Sequence, residues 1–240
     1  MSLWNALRLD MREHRSVTLV GGGGKTTTMY YLAQEARAAG KRVIVTTSTH
    51  IMPHPRLFLT DDPSPDNLRA CLDAHGIITL GTLGRADKLC GTGEIGVCKE
   101  AADIVLIEGD GARIRPLKVP AEHEPVIPPE TDAVIAIAGM DALDEPIGVI
   151  CHRPERTAAF LGKRLEDPVT EEDVVKILSS PEGSRKNVAP SMAYRCLLNK
   201  TDDPVLRERA GIIAAGLDRL GIFTLIQHYE EKERGGLCWF

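Results

Sequence analysis

A β-branched apolar stretch, Ser16-Val17-Thr18-Leu19-Val20, runs straight into four consecutive glycines, Gly21–Gly24, and then into Lys25-Thr26-Thr27. No proline interrupts the residues that follow, and Gly40 marks their end, so the segment reads as strand, glycine turn and a helix from Lys25 to about Ala39. The next stretch, Arg42–Thr46, returns to β-branched residues with Val43, Ile44 and Val45. The opening is therefore a βαβ unit, with parallel strands and a right-handed crossover expected.

The glycines have a chemical reading. Backbone N–H groups of Gly21, Gly22, Gly23 and Gly24 can approach phosphate oxygens only where no Cβ stands in the way, and the helix that begins at Lys25 adds roughly half a positive charge at its N-terminus. Lys25 then neutralises the terminal phosphates, Thr27 extends the cradle, and the Thr26 hydroxyl completes a Mg²⁺ shell. The common spacing G-x-x-x-x-G-K-[ST] would need glycine at position 19, which is Leu19, so this is the shorter G-x-x-G-K-T form. Such short loops resemble those of ATP-dependent Mur-type amide ligases as much as those of GTPases. The bland alternative is a glycine turn with an incidental Lys-Thr.

Downstream, the prolines at 53, 55, 63 and 65 make 47–66 loop-like, ahead of a helix from about Pro65 to Ala74 and a strand at Gly76–Leu80. Gly81–Gly96 has hairpin composition, Glu94–Ala102 reads as a helix, and Asp103–Ile107 is an unbroken apolar strand suited to a sheet covered on both faces. Gly109–Pro129 carries five prolines (116, 120, 125, 128 and 129), which excludes a long helix or an inner strand and predicts an ordered surface loop. Strands follow at Ala133–Ala138, Tyr194–Leu198 and Ile222–Ile226, with helices at about Pro154–Leu161, at Glu171–Leu178 behind a Thr170 cap, and at Pro204–Leu220. Alternating β and α elements without an internal repeat predict a three-layer, doubly wound, mostly parallel α/β sheet of P-loop NTPase type. One domain spans 1–240, with a small helical subdomain expected at about 139–190.

Charge narrows the partners. The chain has 29 Lys and Arg against 34 Asp and Glu, a net charge of −5, which is the wrong sign for a nucleic-acid wrapper. No apolar run approaches the roughly 18 to 20 residues that cross a bilayer, and the N-terminus lacks a signal-peptide core, so no membrane partner and a cytoplasmic setting are expected. The six cysteines form no C-x-x-C and read as free thiols. His50, His54, His123 and His152, with Cys90, Cys98 and Cys151, have no metal-site spacing. Cys238-Trp239-Phe240, after Glu230–Glu233, is either a docking tail or a frayed end.

Four further constellations carry chemistry. Glu108-Gly109-Asp110-Gly111 puts two acids at the carboxyl end of the buried strand, as in a Walker B site: Asp110 to hold a magnesium-bound water, Glu108 to orient an attacking water or take a proton. Thr46-Thr47-Ser48-Thr49 supplies hydroxyls for a switch loop, with Thr47 taken as the Mg²⁺ contact, and Arg113, Arg115 and Lys118 form a basic clamp in the proline-rich loop. Asn199-Lys200-Thr201-Asp202 follows a late apolar strand as N-K-x-D, a guanine reader in which Asp202 accepts from the base, Asn199 bonds purine edge and loop, and the Lys200 stem stacks. Each has a plain counterpart, namely an acidic turn, a solvated strand end, a solvated basic patch and a chance tetrapeptide.

Together V-G-G-G-G-K-T-T (20–27), T-T-S-T (46–49), E-G-D-G-A-R-I-R-P-L-K-V-P (108–120), H-E-P-V-I-P (123–128), H-R-P-E (152–155) and N-K-T-D (199–202) resemble the YqeC family. Gly22, Gly109 and Ile114 depart from the family's G-A-G-G-K-T-T and E-A-D-G-A-R-G-R-P-L-K, without removing a charged group. The resemblance implies an accessory protein for a selenium-dependent molybdenum hydroxylase, partnered with that hydroxylase or with a selenium or molybdenum cofactor intermediate. It carries over Lys118, His123, Glu124, His152 and Arg153 as motif residues without assigned roles. Residues and resemblance together imply Mg²⁺ with GTP or ATP, GTP favoured, and hydrolysis of the nucleotide. An ATP-dependent kinase or ligase acting on a cofactor precursor, a nucleotide-gated binding module, and assembly as a homodimer stay open.

Overall fold

The structure is a computed structural model that describes residues 2–51, 57–84, 89–91 and 93–227. His54, Glu230–Glu233 and Cys238-Trp239-Phe240, and the side chain of His50, lie outside the described residues.

The first helix, α1 (Leu3–Ala6), is a single short turn because Arg8 adopts φ 53, in the left-handed region that an α-helix cannot continue through. Trp4, Leu7 and Leu9 are nonetheless buried, and the Trp4 indole N–H donates to the Leu32 carbonyl at 3.0 Å. The βαβ unit follows as β1 (Ser16–Gly21), α2 (Lys25–Ala38) and β2 (Val43–Thr47). Two strands fall inside the stretch read as loop, β3 (His50–Ile51) and β4 (Phe58–Thr60). Next come α3 (Pro65–His75), β5 (Ile77–Leu80), β6 (Thr82–Leu83), β7 (Leu89–Cys90), α4 (Ile95–Ala101) and β8 (Ile104–Glu108). β6 and β7 form the predicted antiparallel pair, to which β3 adds.

The remainder is β9 (Leu117–Lys118), β10 (Ala133–Gly139), α5 (Ile147–Ile150), β11 (Cys151–His152), α6 (Pro154–Leu161), α7 (Glu171–Ser179), β12 (Ala193–Asn199), α8 (Pro204–Asp218) and β13 (Thr224–Ile226). The main sheet has eight strands in the order β13-β12-β10-β1-β8-β2-β5-β4, every neighbouring pair parallel. Alternate residues of its inner strands feed opposite faces. Val17, Leu19, Ile104, Leu106, Ile135 and Ile137 pack with Trp4 and the α2 residues Met29 and Leu32. The other face is covered by two sets of helices: Val134 and Ala136 meet Val174, Ile177, Ile213 and Leu217 of α7 and α8, while Val105 and Ile107 meet Leu68, Leu72 and Cys98 of α3 and α4. This is the three-layer, doubly wound α/β architecture of a P-loop NTPase-like fold.

Two expectations change. The 139–190 region is partly helical, but Ala142, Leu143, Ile147, Cys151, Ala158 and Val174 share one apolar cluster with β10, β12 and α8 rather than forming a core of their own. The Gly109–Pro129 segment is ordered and non-helical, yet its stretches at Gly109–Asp110 and Pro116–Pro120 are buried rather than superficial. Its short strand β9 pairs with β11, so the segment lies between the sheet end and the 139–190 layer. Among the described residues no helix is long and apolar enough to cross a membrane.

Candidate functional site

Parallel register brings the predicted residues to one edge. Glu108 ends β8 opposite Leu19 of β1 and Thr47 of β2, Gly21 lies beside Ile137, and Gly139 lies beside Asn199, all at carboxyl ends of strands, where open α/β sheets bind ligands.

The glycine turn is clamped by its own protein. Gly21 N–H donates to both Asp110 carboxylate oxygens at 3.1 Å, Gly22 N–H to the Ile137 carbonyl at 2.9 Å, and Gly23 N–H to the Arg115 carbonyl at 3.1 Å. Asn199 Nδ2 donates to the Gly23 carbonyl at 2.9 Å. This differs from four amides aimed at phosphate: those of Gly21–Gly23 bond protein oxygens, and the donors left to a phosphate are those of the first turn of α2 behind Gly24, where helical N–H groups have no intrahelical partner. The turn needs glycine mainly because backbone crowds it. A Cβ on Gly22 would come within 2.5 Å of the Arg115 carbonyl oxygen.

Behind the turn sits a buried chain of charges. Lys25 Nζ donates to the Gly21 carbonyl at 2.7 Å and lies 3.3 Å from Asp110 and 3.8 Å from Glu108. Asp110 in turn meets Lys118 at 3.1 Å, Lys118 meets Glu124 at 2.8 Å, and Glu124 pairs with Arg153. Lys118 also donates to the Gly111 carbonyl at 2.6 Å and is only 1% exposed. Alternating signs along the chain offset the desolvation that isolated buried charges would suffer. Lys118 is thus a fixed part of the floor, not the surface clamp predicted from its place beside Arg113 and Arg115.

The two acids have different neighbours. Thr26 Oγ1 donates to Glu108 Oε2 at 2.9 Å, joining the start of α2 to the end of β8, whereas Asp110 is occupied by the Gly21 amide and two lysines. Burial, with Asp110 nearby, pushes the Glu108 carboxyl above its ordinary pKa against the pull of Lys25 and Thr26. Thr26 and Glu108 are hard oxygen donors of the kind Mg²⁺ takes. Thr47 does not join them: its hydroxyl donates to the Glu108 backbone carbonyl at 2.9 Å and accepts from Thr49 N–H at 2.9 Å, which shapes the end of β2.

In the N-K-T-D segment, Lys200 has φ 61 and pairs with Asp141 at 2.6 Å, a partner the sequence reading missed. Its only signal was an acid just past the apolar strand β10. Asp202 is exposed beside Asp203, which caps α8 by accepting from Val205 N–H at 2.7 Å. Thr27 is partly exposed in the first turn of α2, and His123 is exposed.

A cleft of about 690 Å³ opens beside this floor, lined by Thr49, Gly111, Arg113, Arg115, Glu124 and the Gly148–Pro154 side. Burial, followed by the charges of Lys118 and Arg153, pulls the His152 imidazole down from 6.5 to about 4. Burial weighs most on Glu124 as well, but the hydrogen bonds and charges of Arg153 and Lys118 prevail and hold it at about 2. Burial pushes the Cys151 thiol up to about 12, so it is no thiolate nucleophile.

The family model YqeC, described as YqeC protein, matches residues 17–155, more than half of the chain and the whole stretch from β1 through the charge chain to the cleft. This chain belongs to the YqeC family. It is 32% identical over 167 residues to a protein of Escherichia coli (strain K12) named Uncharacterized protein YqeC. The match covers 63% of this chain and 62% of that relative, so it spans about three fifths of the relative's length.

Proposed function

We propose that this YqeC-family chain binds a nucleoside triphosphate with Mg²⁺ at the Gly21–Thr27 turn, and that the bound nucleotide drives an accessory step in maturing the cofactor of a selenium-dependent molybdenum hydroxylase. The observation that carries the nucleotide reading is the junction of Lys25, Thr26 and Glu108 where β1 and β8 end and α2 begins. Thr26 and Glu108 would hold the metal, which when bound supplies positive charge to the phosphates and polarises them. Lys25 moves from the Gly21 carbonyl to a phosphate oxygen, and the first-turn amides of α2 receive the rest of the charge. Asp110 keeps the turn in shape through the Gly21 amide. This exchanges the roles expected from sequence, where Asp110 met the metal.

GTP is the favoured nucleotide, because Asn199 bonds the glycine turn and thereby sets the N-K-T-D segment beside it. A second reading, transfer of a group from the nucleotide to a cofactor precursor, is favoured by the basic cleft next to the charge chain. Calorimetric titration with GTP and then ATP, with and without Mg²⁺, tests the site. Mg²⁺-dependent binding is expected, tighter for GTP. Tighter ATP binding would reduce Asp202 to a surface turn and move the reading to a kinase or ligase, and no binding of either would remove the nucleotide reading altogether.

A further inference from the structure

The cleft of about 690 Å³ is separate from the glycine turn: none of its lining residues belongs to Gly21–Thr27. It carries three guanidinium groups, Arg113, Arg115 and Arg153, against one carboxylate, Glu124, which is already paired with Arg153 and Lys118. Among the described residues neither Arg113 nor Arg115 has a carboxylate partner; Arg115 donates to the Val149 carbonyl. The excess charge is therefore that of two guanidinium forks, which match oxyanion geometry. Arg113 and Arg153 are both held at positive φ, 47 and 56, a conformation that costs a non-glycine residue stability and gathers at functional sites. His152 stays neutral beside them, which leaves the arginines as the charged contacts.

We infer that this cleft is a second ligand site, taking a small molecule with a phosphate monoester or equivalent dianion, held by Arg113 and Arg115 with Arg153 behind. About 690 Å³ lies within the ordinary range for a small-molecule pocket. The floor between it and the turn is Asp110–Gly111, so a ligand here stands next to the nucleotide end of β8. Its role as a co-substrate site rests on the nucleotide reading above, while its affinity for an oxyanion does not. The arrangement is that of a two-substrate site rather than of a simple hydrolase.

Inorganic phosphate is the probe, titrated calorimetrically into the full chain, into Arg113→Gln/Arg115→Gln and into Lys25→Ala. Both arginines are exposed, so the double variant keeps the fold, and unchanged melting curves verify it. The expected pattern is phosphate binding weakened by about tenfold or more in the arginine variant, as for loss of charge-assisted contacts, and altered by less than about threefold in Lys25→Ala. No binding to the full chain at millimolar phosphate overturns the inference, as does any pattern in which Lys25→Ala loses more than the arginine variant. That last result would put phosphate at the glycine turn and leave the nucleotide reading standing. Conversely, phosphate held by the arginines in a chain that binds neither GTP nor ATP would keep the cleft and remove the nucleotide.

Discussion

Lys25 is tethered to the Gly21 carbonyl and faces two carboxylates, so delivering its charge to a phosphate means exchanging those partners. Lys25→Ala should weaken triphosphate binding by about two orders of magnitude, the size of a lost charge-assisted contact, read by calorimetry. Unchanged affinity would move the phosphate site elsewhere. Glu108→Gln is expected to abolish the Mg²⁺ dependence of binding while leaving metal-free affinity within about threefold, since Thr26 keeps a hydrogen-bonding neighbour there. If Asp110→Asn does this instead, the roles first read from the sequence are right. At this scale the sequence was informative about residue types and poor about partners. Lys25, Thr26, Glu108 and Asp110 were all legible, because strand, turn and helix signals fixed where they stand in the chain. That Glu108 rather than Asp110 meets Thr26, that Lys118 is interior, and that Asp141 holds Lys200 depend on contacts across 59 residues or more in two of those cases, which no local pattern encodes.

Elements were legible where hydrophobic period and punctuation agreed. β1, α2, β2, β8, β10, β12 and α8 lie within a few residues of their predicted bounds. β4 was missed because a three-residue edge strand owes its existence to β5, its pairing partner, and not to its own pattern. The glycine turn makes an element-level test. Gly22→Ala drives a Cβ against the Arg115 carbonyl oxygen at 2.5 Å and Pro116 backbone at 2.9 Å, so it should destabilise the fold by about 1–3 kcal/mol, as overpacking does. Gly111→Ala meets nothing within 4 Å and should fall within about 0.5 kcal/mol of the parent. Urea midpoints decide, and equal losses for the two would show that backbone crowding is not what the turn's glycines answer to.

For the whole molecule, the charge chain sets how stability follows pH. His152 drops from 6.5 to about 4, so between those values an unfolded chain binds a proton that the folded chain does not, and stability rises with pH across that window. Glu124, lowered from 4.5 to about 2, acts with the same sign further down, whereas the raised Glu108 acts with the opposite sign as pH climbs past the carboxylate range. Urea stability should therefore fall between about pH 6.5 and pH 4, and His152→Asn should flatten that fall. A variant with the parent's slope would show that His152 titrates normally. The parallel α/β architecture was legible from alternating elements, but the burial of Gly109–Asp110 and Pro116–Pro120 was not, because prolines and charges read as surface until their partners are known.

Arg115 belongs to both halves of this arrangement. Its carbonyl accepts the Gly23 N–H of the glycine turn, and its side chain, which lines the cleft, donates to the Val149 carbonyl. If both sites bind as proposed, one residue's backbone and side chain answer to different ligands, and a shift in one is passed to the other. Linkage makes such a connection reciprocal: if nucleotide tightens the cleft's hold on an anion, the anion must tighten the hold on nucleotide by the same factor. An occupied cleft would then serve as the signal that a turnover has something to act on, which lets an otherwise idle nucleotide stay intact.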